Sequence, residues 1–176
     1  QSTAETEIIR YSLGNCFYAS QTFSNAPEGR RVQLAWGTIP MEGMPFNQQP
    51  LFPVDLTLHT TDEGLRMFAY PVKELKNIQA KKHTWSDIEL KPGQNILADV
   101  RGELFDIDAE FEIDDADEFG FLINGFSVQY NVNKNELSCG RPKTELKPID
   151  GKIRLRILVD RVSIEIFAND GRIYMP

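Results

Sequence analysis

Residues 29–58 read GRRVQLAWGTIPMEGMPFNQQPLFPVDLTL. An apolar run ends in Trp36, and a loop rich in Gly, Pro and Met follows. The string Met44-Pro45-Phe46-Asn47-Gln48-Gln49 leads into a second apolar run with a proline near its start. Short β-branched or aromatic runs bounded by turn residues predict antiparallel strands. The same pattern extends both ways, with strands expected over 8–13, 16–23, 31–36, 51–60 and 65–70. Ala26-Pro27-Glu28-Gly29 and Thr61-Asp62-Glu63-Gly64 supply the turns, because proline presets φ and glycine permits positive φ. The only helical signal is 72–78, where Val72, Leu75 and Ile78 recur every third residue. It is too short for more than a connector, and the boundary between two units, 1–75 and 76–176, is placed there.

The second half alternates more strictly. Phe105, Ile107, Ala109, Phe111 and Ile113 interleave with Asp106, Asp108, Glu110 and Glu112. Period two over nine residues predicts a strand with one buried face. Ile153, Leu155, Ile157 and Val159 repeat the pattern. So do Val162, Ile164 and Ile166, which places Glu165 on the outward face. Asn169-Asp170-Gly171 predicts a type I′ hairpin turn, which needs positive φ at both central residues. The expected core is Phe105, Ile107, Phe111, Ile113, Leu155, Ile157, Val159, Ile164 and Ile166. Many short strands with frequent turns predict an all-β fold, a C-terminal β-sandwich.

Composition narrows the function. The chain has 176 residues, 41% hydrophobic and 26% charged, with net charge −7. No basic run exceeds two residues, which argues against nucleic acid or an anionic membrane surface as partner. No apolar run reaches the roughly 18–20 residues that span a bilayer, so no membrane insertion is expected. Cys16 and Cys139 have no metal-ligand spacing and read as free thiols or as one long-range disulfide. Asp114, Asp115, Asp117 and Glu118 offer oxygen ligands without EF-hand spacing and read as a solvated turn. No metal site is therefore expected. His59 and His83 stand without a nucleophile elbow. No phosphate-binding glycine loop is present, so no cofactor is expected.

Two features bear on carbohydrate chemistry. Same-face residues of one strand lie about 7 Å apart, within the range of glycosidase carboxyl pairs. The row Asp106 to Glu112 is nonetheless what any solvated strand face presents, and one member of a working pair must be buried. Tyr18, Trp36 and Phe46 carry rings on which sugar C–H faces stack, and Gln21, Asn47 and Gln48 carry amides that bond hydroxyls. The same aromatics also suit packing between strands.

The stretch 29–58, with Phe17-Tyr18-Ala19-Ser20-Gln21-Thr22-Phe23-Ser24-Asn25 upstream, resembles the late propeller strands of glycoside hydrolase family 32. That family comprises levanases, inulinases and invertases. Val162-Ser163-Ile164-Glu165-Ile166-Phe167-Ala168-Asn169-Asp170-Gly171 resembles the family's C-terminal sandwich. The Met-Pro-Phe-Asn-Gln string is more like the levanase and exo-fructanase branch than the plant invertases. The resemblance implies the last strands of a β-propeller followed by a β-sandwich. It also implies retaining hydrolysis of a β-fructan or fructoside substrate, and an extracellular or periplasmic location. The family's nucleophile lies in Trp-Met-Asn-Asp-Pro-Asn-Gly, its stabiliser in Arg-Asp-Pro and its acid/base in Glu-Cys. None occurs here, so no catalytic residue is assigned and the chain is expected to be silent by itself. The alternative is a non-catalytic carbohydrate-binding, structural or dimerisation sandwich.

About one propeller blade alone leaves strand edges and apolar side chains without neighbours. The isolated chain is therefore expected to form a homo-oligomer through residues 8–60. Sedimentation at several concentrations, with and without residues 1–75, tests this. A strictly monomeric chain would mean that the strands bury their own faces.

Overall fold

The computed structural model describes residues 8–176 as thirteen strands in three antiparallel sheets. The first sheet contains β1 (Phe17–Thr22), β2 (Val32–Gly37), β3 (Gln49–Pro50), β4 (Val54–Thr61) and β5 (Gly64–Pro71). Its order is β1-β2-β4-β5, with β3 also pairing β2. A short 3₁₀ turn, Lys73–Ile78, realises the helical connector. Residues 79–104 follow without helix or strand.

The second sheet orders β10 (Lys143–Glu145), β9 (Glu136–Cys139), β8 (Phe126–Asn131) and β7 (Glu118–Ile123). The third orders β13 (Ile173–Met175), β12 (Ile164–Ala168), β11 (Lys152–Val159) and β6 (Phe105–Glu112). These two sheets form the sandwich. Ile123, Val128, Tyr130 and Leu137 from one meet Ile153, Leu155, Ile157, Val159, Ile166 and Met175 from the other. Every expected core residue lies in this cluster or packs on it, as the period-two reading requires.

Three of the four acidic residues on β6 form ion pairs across the ladder. Arg156 pairs with Asp106 at 3.0 Å, Arg154 with Glu110 at 2.8 Å, and Lys152 with both Glu110 and Glu112 at 2.7 and 3.1 Å. Arg154–Glu110 and Lys152–Glu112 are directly opposed in the β6–β11 register, whereas Arg156–Asp106 and Lys152–Glu110 are diagonal; both kinds of cross-strand neighbour stabilise a sheet.

Two expectations are corrected. Residues 8–13 form no strand. Only Ser12 bridges, in parallel, to Tyr174. The Leu13 and Asn15 amides donate to the carbonyls of Tyr174 and Pro176, so 11–15 caps the edge of the third sheet irregularly. At Gly14 a Cβ would sit 1.7 Å from the Pro176 carbonyl oxygen, a crossing too close for a regular side-chain-bearing ladder. The second correction is Glu165, which is fully buried instead of facing out. The third sheet is the middle layer of three, and its other face is covered by the first sheet. Leu158, Phe167 and Tyr174 meet Val54 and Ala69 there in a second core cluster.

Aromatic contacts hold this seam. Phe167 stacks on Tyr174 with centroids 4.7 Å apart, and Phe17 meets Tyr174 edge-on at 5.9 Å. Each buried ring contributes about 2–3 kcal/mol through removal from water. The Asn169-Asp170 turn has positive φ at both residues, 44° and 60°, as a type I′ turn demands. Gly171, at φ +90°, accepts a hydrogen bond from the Ala69 amide at 2.9 Å. A Cβ at Gly171 would stand 2.3 Å from the Ala69 carbonyl oxygen, so only glycine lets the hairpin approach β5 this closely.

Both cysteines are free and half-buried. Burial raises both thiols, and the nearby Glu165 charge helps push Cys16 up to about 11.

Phe167→Ala is expected to destabilise the chain by about 3–5 kcal/mol, as a large-to-small core change. Urea denaturation checks it, and a loss below about 1 kcal/mol would mean that the seam contributes little. Because thiolates are the reactive form, both cysteines should react slowly with a thiol reagent near neutral pH and rapidly in denaturant. Fast labelling of the folded chain would contradict their burial.

Candidate functional site

An open pocket of about 610 Å³ lies on the outer face of the first sheet. Strand alternation decides which side chains reach it. On β2, Gln33, Ala35 and Gly37 are buried toward the sandwich, so Leu34 and Trp36 face the opposite side. On β1 a bulge between Tyr18 and Gln21, with Ala19 at φ 45°, shifts the register by one residue. Bulges re-aim side chains in this way. Tyr18 then pairs with Trp36 and Gln21 with Leu34, which puts Gln21 on the same face as Trp36.

The third wall is the segment 47–50. Its approach is set by β3, where Trp36 pairs with Pro50 and Gly37 with Gln49. The Leu51 amide extends this by donating to the Ala35 carbonyl at 2.9 Å. Gln48 sits at φ 70°, which turns the loop inward. Asn47 Oδ1 accepts from the Met41 amide at 3.2 Å and closes the 41–47 loop.

The lining joins Ala19, Gln21, Thr22, Phe23, Leu34, Ala35, Trp36, Asn47, Gln48, Gln49 and Pro50. Of the six residues singled out from sequence, Gln21, Trp36, Asn47 and Gln48 line it together. Tyr18 and Phe46 do not. Both are more than half exposed, Tyr18 across the strand pair from Trp36 and Phe46 one residue before Asn47. Phe23 and Gln49 join the lining without having been singled out. Both stand in the strings quoted above, but only the bulge and the β2–β3 pairing turn them to this face.

Among the described residues the lining has no charged side chain. It combines an indole that is 49% exposed with a second exposed ring, Phe23, and four amides. Asn47 and Gln49 are partly engaged, Gln49 through Nε2 donation to Ser163 Oγ at 3.2 Å. Gln21 and Gln48 are the lining's free amides among the described residues. Such a surface suits a neutral ligand with C–H faces and hydroxyls. Among the described residues it has no carboxylate placed to act as nucleophile or acid.

The remaining polar candidates are engaged elsewhere. Thr57 Oγ1 contacts His59 Nε2 at 2.8 Å, and His59 lies on Phe68. His83 stacks on Trp85 at 5.8 Å. Asp117 accepts from Asn133 in the β6–β7 turn. Among the described residues no group of three or more His, Cys, Asp or Glu side chains has the geometry to hold a metal ion.

Residues 72–175 match the family model described as "Glycosyl hydrolases family 32 C terminal". The levanase of Bacillus subtilis (strain 168) is 31% identical over 199 residues, covering 94% of this chain and 29% of that protein. A levanase of Bacillus sp. (strain L7) is 30% identical, covering 94% of this chain and 21% of its own length. The chain thus spans less than a third of either levanase. The solved exo-inulinase from Aspergillus awamori superposes with a TM-score of 0.76 at 18% identity, covering 94% of this chain and 38% of that one. The fructofuranosidase from Schwanniomyces occidentalis complexed with fructose gives 0.72 at 20% identity, covering 94% and 42%. At those identities the two structures speak for the fold alone, an all-β sandwich preceded by the terminal strands of a propeller. Family model, levanase identities and fold agree: the chain belongs to glycoside hydrolase family 32, of which it carries the C-terminal domain.

Proposed function

We propose that the chain is the C-terminal part of a levanase-like, retaining β-fructosidase and is catalytically silent by itself. In this reading 1–75 supplies terminal propeller strands and 76–176 the sandwich. The pocket on the first sheet is a wall of the substrate site, contacting a β-fructan or fructoside neutrally through Trp36, Gln21, Asn47 and Gln48. Tyr18 and Phe46 extend it at the rim. The supporting observation is the uncharged, ring-and-amide lining around Trp36. Two levanases stand among the relatives. A cell-wall isozyme of β-fructofuranosidase from Pisum sativum is also among them, which supports an extracellular setting.

Catalytic silence follows from chemistry. Glycoside hydrolysis needs two carboxyls flanking the bond. On β6, Asp106, Glu110 and Glu112 are tied up in ion pairs, and Glu165 is sealed between sheets.

The purified chain is expected to release no fructose from levan, inulin or sucrose, since the missing acid and nucleophile account for many orders of magnitude in rate. Turnover that survives repurification would overturn this. In affinity electrophoresis levan should retard the chain. Trp36→Ala should weaken that retardation about tenfold, equal to about 1.4 kcal/mol of stacking and burial. Equal retardation of the two would remove Trp36 from the site.

A further inference from the structure

The pocket's third wall is not held by the first sheet alone. Gln49, which lines the pocket, donates to Ser163 of the sandwich. Three residues later the Phe52 amide donates to Glu165 Oε1 at 2.9 Å. Glu165 Oε2 accepts from the Tyr174 hydroxyl at 2.6 Å. The carboxyl is fully buried, and both partners are neutral donors. Among the described residues the titratable groups that face this cluster are Tyr174 from β13, Cys16 just before β1, Asp160 after β11, and Tyr11 from the segment capping the sheet. None of them is a cation. A buried carboxylate without a cation is unfavourable unless it takes a proton.

We propose that Glu165 is a positioning residue of the sandwich, whose buried carboxyl pins segment 49–52 and thereby sets the pocket wall beside Trp36, with its protonation state tuning how firmly the wall is held. The neutral acid carries no buried charge; it accepts from the Phe52 amide through Oε1 and turns its own O–H to the Tyr174 hydroxyl oxygen. The carboxylate accepts from both donors but draws water toward the seam and loosens it. The link to sugar binding rests on the function proposed above; the pin itself does not.

The electrostatics give the direction. Burial, above all, raises the Glu165 carboxyl from 4.5 to about 7, against the lowering effect of its two hydrogen bonds. The folded chain therefore holds this proton where the unfolded chain has lost it. The contribution to stability is full below the ordinary carboxyl value, declines as pH rises from 4.5 to about 7, and is level above.

The test uses the two tryptophans separately. In a Trp85→Phe background the emission comes from Trp36, whose strand partner is Pro50. Titration from about pH 5 to about pH 9 is expected to show a single emission step with its midpoint near 7. Glu165→Gln, which keeps the size and an acceptor for the Phe52 amide, should abolish the step. Absence of the step in the parent, or its persistence in Glu165→Gln, would overturn the proposal. Should Glu165→Gln fail to fold, Tyr174→Phe decides: removing a donor to the carboxylate must move the midpoint to higher pH, and an unmoved midpoint overturns the proposal. Levan retardation measured across the same range separates the two readings. It should weaken above the midpoint in the parent and stay level in Glu165→Gln. A Glu165-dependent emission step with no levan retardation at any pH would sink the sugar reading and leave the pin standing.

Discussion

The rest of the fold depends on a sheet that is buried on both faces. The third sheet contributes one face to the sandwich core and the other to the seam with the first sheet. Along β12 the side chains alternate between these two interiors. Ile164, Ile166 and Ala168 enter the sandwich, while Glu165 and Phe167 enter the seam. A strand in this position cannot shift register by one residue without exchanging the contents of two cores. That constraint fixes the hairpin after β12, the contact of Gly171 with β5, and the height at which segment 49–52 crosses the sandwich.

The seam also explains why a single acidic residue carries so much structure. Its apolar members, Phe167, Tyr174, Phe17 and Val54, exclude water. Within that dry layer Glu165 satisfies two donors that would otherwise be stranded, the Phe52 amide and the Tyr174 hydroxyl. Stranded buried donors cost about 1–3 kcal/mol each. The carboxyl is thus a polar rivet between the sheet that bears the pocket and the sandwich that supports it. Within the first sheet and its connector, Arg30 clamps Asp55 of β4 with two donors and reaches Glu74 in the 3₁₀ turn. Arg30 holds the Glu74 carboxyl down to about 2.

The two faces of the first sheet have different fates. Its inner face is covered, whereas its outer face leaves Trp36, Phe23 and Tyr18 about half exposed or more. Rings exposed beside amides, with no charge among the lining residues, form a surface that can accept sugar faces. The bulge at Ala19 is what gathers them, because it turns Gln21 to the side of Trp36.

Local pattern carried most of the architecture. The alternation in 105–113 and 153–159 determined those strands and their sandwich-facing residues, since side-chain period two is a property of the extended chain itself. Asn169-Asp170-Gly171 determined its turn, because few residues accept two successive positive φ values. The strings around Trp36 were enough to place the chain beside its family. The burial of Glu165 was not legible, because a polar residue alternating with apolar ones reads as a solvent face. Only the docking of a sheet distant in sequence makes that face an interior. The same holds for 8–13, whose apolar residues suggested a strand until the close crossing of Gly14 and Pro176 left room for one bridge. It holds too for Phe23 and Gln49, which reach the pocket through a bulge and a two-residue strand pairing. Sequence determined what each segment could form, and the tertiary structure decided which faces met water, because burial depends on neighbours that no local pattern contains.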